Sequence, residues 1–333
     1  MGFCNGRFIF KFYLHTFTMT FKKILFVNIK ESDLDKNYWN KIDSITETKK
    51  FLTKDSPRII QELKDTECLL VGFATPVTKE HIDAAPKLRY IGTLAVAYHK
   101  IDTKYAKQKG IPVTNIAGYC TESVAEFIIA TILNEIRQLD EGKQRSQNKN
   151  YDFAGMSASE IKGKVFGIFG LGNIGTRTAE LAQGFGADVR YWNRTRKSDC
   201  EVRGIKYEDK DTLLKNADFI SINFAHTPET DRFLDENAFS EIKAGAIVVN
   251  TVPMETTDLV ALENRLKKND MIFILDHSDE MKQEDLDILH KYKNCIIYPP
   301  IAFISKEARA NKQNLFVGNI ENFLKGKPTN VVN

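Results

Sequence analysis

Residues 170–175 read Gly-Leu-Gly-Asn-Ile-Gly. Glycines at that spacing suit one task, which is to let the main chain approach a phosphate group. Gly170 permits a tight turn, Gly172 keeps a Cβ out of the path of a pyrophosphate, and Gly175 lets a following helix pack closely on the preceding strand. The helix start then offers free N–H groups and the positive end of its dipole to negative charge. A glycine-rich turn in another α/β protein has the same letters, so context decides. Here the apolar run Val165 to Phe169 precedes the glycines, a helical run reaches Phe185, and a second strand from Asp188 leads to Asn193. Gly170, Leu171, Gly172, Asn173, Ile174 and Gly175 are therefore assigned to a dinucleotide. About 20 residues past such glycines an NAD site carries an acid for the ribose 2′-hydroxyl. This chain has Asn193, Arg194 and Thr195 instead. An amide, a guanidinium and a hydroxyl suit a 2′-phosphate, so NADP(H) is the expected cofactor, with NAD(H) second.

The elements that must position this loop are those of an alternating α/β chain. Its 333 residues are enough for two domains at ~150 residues each. Lys plus Arg is 47 against 44 Asp plus Glu, a balance without the basic stripe of a nucleic-acid or membrane-surface protein. Cys4, Cys68, Cys120, Cys200 and Cys295 show neither a C-x-x-C pair nor metal-ligand spacing. They suit a reducing compartment, so the expectation is a cytoplasmic protein with no metal. No apolar run approaches the ~18 residues needed to span a bilayer. Phe8 to Leu14 is interrupted by Lys11 and followed by no small-residue cleavage site, which makes a poor signal peptide. Residues 1–18 are expected to be a dispensable, disordered extension before a first strand that starts near Met19.

Strands are expected at Ile24–Val27, Cys68–Val71, Lys87–Gly92 and Ile111–Thr114, with helices beginning at Ile59 and Tyr105. A long apolar-periodic helix follows from Thr121 through Val124, Phe127, Ile128, Ile132 and Ile136, and Asp140 to Asn150 reads as a solvated region. After Asn193, strands are expected at Asp218–Asn223, Ala246–Asn250, Met271–Leu275 and Cys295–Tyr298, then a closing helix from Lys306 to Leu324. The fold class is α/β, with two Rossmann-like, doubly wound domains and a cleft between them. The expected boundaries are a flavodoxin-like substrate domain of residues 19–118 plus 304–333, and a dinucleotide domain of 119–303.

With these residues laid out, the chain resembles the D-isomer-specific 2-hydroxyacid dehydrogenase family from Met19 onward. The resemblance rests on Val124-Ala-Glu126, the 170–175 loop, Thr227-Pro-Glu-Thr230, Val249-Asn-Thr251, Leu275-Asp276 and the tail from Asn322. It implies a bilobal enzyme, commonly a homodimer, that reduces a small 2-oxo acid with a nicotinamide cofactor. It also implies that Thr230, Thr251, Val252 and Asp276 belong to the cofactor site, Asp276 as acceptor for the nicotinamide carboxamide. Asn193 to Thr195 resemble the NADP-using glyoxylate and hydroxypyruvate reductases of the family.

The catalytic positions depart from that pattern. The arginine that grips the substrate is Pro253, the proton-donating histidine is Pro300, and the acid that orients the histidine falls on Met281, with Glu280 one place short. The substrate loop reads Ala95-Val96-Ala97-Tyr98-His99-Lys100, where the N–H groups of Val96 and Ala97 are expected to bind a carboxylate. Losing a general acid removes roughly 10²–10⁴-fold in rate. Two readings follow. One is an NADP-dependent oxidoreductase with a reassigned active site, in which Tyr98, His99, Lys100, His277 and Glu280 are the candidate polar groups. The other is a nucleotide-binding pseudoenzyme, a redox sensor or interaction module. His226 is expected near the cofactor ribose rather than in proton transfer.

Overall fold

Buried apolar runs with turn residues at each end form the central parallel strands of the chain, because a strand covered on both faces has no need of polar alternation. The computed structural model describes residues 20–333, so the expectation for residues 1–18 lies outside the described residues. The chain forms two compact units. One ends at Ala117 and takes in Ala310–Asn333, and the other is Gly118–Arg309.

The first unit holds a five-stranded parallel sheet, ordered β2-β1-β3-β4-β5, from β1 (Phe21–Val27), β2 (Thr46–Leu52), β3 (Cys68–Val71), β4 (Tyr90–Thr93) and β5 (Val113–Thr114). Leu25, Val27, Leu69, Val71, Ile91 and Val113 form its core on one face. The strand β2 was not expected. Its sequence, Thr-Glu-Thr-Lys-Lys-Phe-Leu, has few apolar residues because it pairs only with β1, and lysines on an edge strand discourage further pairing. The last helix, Lys306–Leu324, buries Phe316, Val317 and Ile320, and Phe323 stacks on Phe21 at 5.9 Å. Its Asn319 side chain donates to the Asn115 carbonyl at 2.8 Å, and Val332 N–H donates to Val113 at 2.9 Å. The C-terminal segment is thus stitched to the end of this sheet.

The second unit holds seven parallel strands: β6 (Val165–Phe169), β7 (Asp188–Trp192), β8 (Lys206–Tyr207), β9 (Phe219–Ile222), β10 (Ile247–Asn250), β11 (Ile272–Leu275) and β12 (Cys295–Ile297). Their order is β12-β11-β10-β9-β6-β7-β8, so the winding reverses between β6 and β9. A ligand crevice forms at such a reversal, outside the carboxyl ends of the strands, and the glycine loop leaves β6 at that point. The helices Thr121–Arg137 and Asn173–Gly184 pack together, and Arg177 joins Glu122 by two hydrogen bonds of 2.7 and 2.8 Å. The stretch expected to be solvated is so, and most of it forms the helix Leu139–Gln147, none of whose residues is buried. Its support is local, with Arg145 bonded to Glu141 at 2.6 Å across one turn.

Candidate cofactor and substrate site

Gly170 adopts φ +95°, a conformation costly for any residue with a side chain. A Cβ on Gly175 would lie 2.1 Å from the Gly170 carbonyl oxygen, so this helix reaches the strand only as glycine. At Gly172 nothing stands within 4 Å of the place a Cβ would occupy. No side chain caps the helix that Gly172 begins, and the first hydrogen bond into its turn is Thr176 N–H to Gly172 at 2.9 Å. The N–H groups of Asn173, Ile174 and Gly175 are left for a ligand, in a loop with room for phosphate. A cavity of about 500 Å³ opens beside it, lined by Leu171, Gly172, Asn173, Lys197 and Arg203 among others.

At the end of β7, Asn193 accepts from Leu171 N–H at 3.2 Å and donates to the Thr195 carbonyl at 2.7 Å. Its amide therefore braces the glycine loop. Arg194 and Thr195 are exposed, whereas Arg196 is committed to Glu201 at 2.6 Å and lies over the Tyr207 ring. Lys197 is a basic residue of this site that the sequence reading passed over, although the run Arg194-Thr-Arg-Lys197 signals it. Thr230 accepts from Thr227 N–H at 2.8 Å and donates to the Ala225 carbonyl at 2.8 Å, which closes its own loop. His226 pairs with Asp231 at 2.9 Å, on the same loop.

Thr251 and Val252 leave the end of β10, and Asp276 leaves the end of β11. Asp276 is 3% exposed, and its Oδ2 accepts from Ala302 N–H at 3.0 Å. Its Oδ1 is buried with no hydrogen-bond partner. Burial holds the Asp276 carboxyl above the usual carboxylate range, although His277 and the Ala302 N–H pull the other way. A buried acceptor without a donor is rare in a folded chain. The orphaned oxygen, the open place at Gly172 and the uncapped helix start together fit a nicotinamide dinucleotide. These residues would hold it at its carboxamide and its pyrophosphate.

Pro253 and Pro300 supply neither charge nor N–H. Met281 packs against the core. Glu280, however, is not idle. Its Oε2 lies 3.7 Å from His277 Nδ1, while His277 Nε2 donates to the Thr251 carbonyl at 3.1 Å and lies 4.0 Å from Asp276 Oδ1. The i,i+3 spacing of the single turn Ser278–Glu280 makes this pair, a relation the sequence reading did not draw.

In the first unit, the loop after β4 carries Val96, Ala97, Tyr98, His99 and Lys100, all exposed. The buried Asn115 side chain donates to the Val96 carbonyl at 2.8 Å, and Ile116 N–H donates to Ala95 at 3.2 Å. The loop is thus held through its carbonyls, leaving the N–H groups of Val96 and Ala97 free for a ligand. No hydrogen bond or ion pair among the described residues holds the His99 ring or the Lys100 ammonium.

Residues 129–302 match the family model described as D-isomer specific 2-hydroxyacid dehydrogenase, NAD binding domain. The hydroxypyruvate reductase of Blautia hydrogenotrophica is 32% identical over 289 residues, which is 84% of this chain and 88% of that protein. Among solved structures, an acyclic imino acid reductase in complex with NADPH and D-Arg is similar at TM-score 0.80 and 30% identity, over 93% of this chain and all of that one (100%). The D-lactate dehydrogenase of Aquifex aeolicus, complexed with NAD and lactic acid, is similar at TM-score 0.78 and 27% identity, over 91% of this chain and 96% of that one.

Proposed function

The chain belongs to the D-isomer specific 2-hydroxyacid dehydrogenase family, and from that premise we propose that it is an NADP(H)-preferring oxidoreductase of small 2-oxo acids or related carbonyls with a reassigned active site. The observation that carries this reading is the buried, unpartnered Oδ1 of Asp276, an acceptor that folding alone does not require. When bound, the cofactor supplies hydride. Exposed Arg194, set behind a bracing Asn193, supports the preference for a 2′-phosphate. The loop of Val96, Ala97 and Tyr98 supports a carboxylate subsite, with Lys100 as the cation in place of Pro253 and His99 as the proton donor in place of Pro300. The exposed Leu139, Tyr151 and Phe153 support a homodimer, and the free, buried Cys68, Cys120, Cys200 and Cys295 support a cytoplasmic location.

The two prolines and the likeness to an imino acid reductase favour a second substrate class, the protonated imine of a 2-oxo acid. A carbonyl oxygen needs a proton as hydride arrives at carbon. An imine that enters protonated needs none, so a site without a general acid disfavours it far less.

The test is oxidation of NADPH and NADH with glyoxylate, hydroxypyruvate and pyruvate, with and without an added amine, and cofactor binding measured in the same tubes. The expected result is firm NADPH binding, weak turnover of the acids alone, and a loss of about 10²-fold in His99→Ala with cofactor affinity unchanged. Turnover that appears only with amine selects the imine. Robust glyoxylate reduction that survives His99→Ala overturns the assigned donor. NADPH binding without turnover of any partner selects the pseudoenzyme.

A further inference from the structure

Pro253, two residues past Thr251, offers no cation to a region that buries the Asp276 carboxyl. Asp276 is 3% exposed and is faced by Asp279 and by the Cys120 thiol, whose pKa burial pushes up and which therefore stays neutral. A buried carboxylate without a nearby positive charge pays for its ionisation or takes up a proton. A protonated Asp276 is a poorer acceptor for the N–H of a carboxamide.

His277 answers this need. Its Nε2 donates to the Thr251 carbonyl at 3.1 Å and lies 4.0 Å from Asp276 Oδ1, while its Nδ1 is buried with no hydrogen-bond partner and has the Glu280 Oε2 carboxylate oxygen 3.7 Å away. A neutral imidazole would turn a lone pair towards one of them, so the surroundings select the doubly protonated ring. We propose that His277 is a positioning residue for the nicotinamide end of the cofactor: bonded to the Thr251 carbonyl and facing the Glu280 carboxylate, its imidazolium keeps Asp276 ionised, with Oδ1 ready for the carboxamide. Burial works against this charge, but Glu280, Asp276 and the Thr251 carbonyl outweigh it and raise the His277 pKa above the ordinary histidine value. The charge is complete below that ordinary value and is lost as pH rises through the raised one.

The inference rests on the cofactor reading above, and two probes separate them. One is NADP+. The other is adenosine 2′,5′-bisphosphate, which has the adenine end and no nicotinamide. In the unmodified protein, the preference for NADP+ over the bisphosphate should fall as pH rises through the His277 transition. His277→Gln should weaken NADP+ about tenfold below that transition, leave the bisphosphate unchanged and flatten the pH dependence. Asp276→Asn should give the same loss, and the double variant no more than either alone. His277→Arg should keep the preference at a pH where the unmodified protein has lost it, and it decides the matter if His277→Gln does not fold. Equal weakening of both probes, or no weakening of NADP+, overturns the role of His277. Failure of the unmodified protein to bind even the bisphosphate overturns the cofactor reading, and this inference with it.

Discussion

Because the Asn193 amide is used between Leu171 and Thr195, the exposed Arg194, with Thr195 and Lys197 beside it, is the guanidinium proposed to meet a 2′-phosphate. A charge-assisted hydrogen bond contributes roughly 1.5–3 kcal/mol, which sets the scale of the preference. NADPH should therefore bind at least several-fold more tightly than NADH, and Arg194→Ala should erase most of the difference, as measured by titration calorimetry. Equal dissociation constants in the unmodified protein would show that the 2′-phosphate is not recognised. The position of Arg194 at the end of β7 is legible in the sequence, since it stands at a counted distance from the glycines. The link between His277 and Glu280 was not, because it depends on a one-turn helix at the end of β11 and on the distance to the end of β10.

The glycine loop divides one motif between folding and binding. Gly175→Ala would force a Cβ to 2.1 Å from the Gly170 carbonyl, where only the main chain is available to yield. Overpacking of this kind costs roughly 1–3 kcal/mol or more, so the variant should melt at markedly lower temperature. Gly172→Ala meets nothing within 4 Å. It should fold with unchanged melting and still lose dinucleotide affinity, read by calorimetry against thermal melts. A Gly172→Ala protein that binds NADPH normally would remove the pyrophosphate from this loop. The buried strand Val165–Phe169 and the helix Lys306–Leu324 were read at their observed bounds. The edge strands β2 and β8 and the exposed helix Leu139–Gln147 escaped, because elements with one neighbour or no buried face carry little apolar signal.

At the scale of the whole molecule, the chain returns at its end to the unit in which it began. Phe316, Val317 and Ile320 are nearly fully buried, and at roughly 2 kcal/mol apiece they represent much of a domain's ~5–15 kcal/mol stability. Truncation after Ile304 should therefore give insoluble protein or a large loss of melting temperature, followed by circular dichroism. A soluble truncate with unchanged melting would show that the helix is peripheral. The sequence alone determined the α/β class, the dinucleotide loop and the family, because these reside in local periodicity and in residues at counted spacings. It also places Pro253 and Pro300 where the resemblance implies a catalytic pair. Tertiary structure decided what the remaining polar groups do. It set the Asn193 amide between the glycine loop and Thr195, turned the Thr230 side chain inward to its own loop, left one oxygen of Asp276 buried without a donor, and brought His277 to Thr251, Asp276 and Glu280. The contact of His277 with Thr251 joins the ends of β10 and β11, which parallel pairing sets side by side although a helix and some twenty residues separate them in the chain.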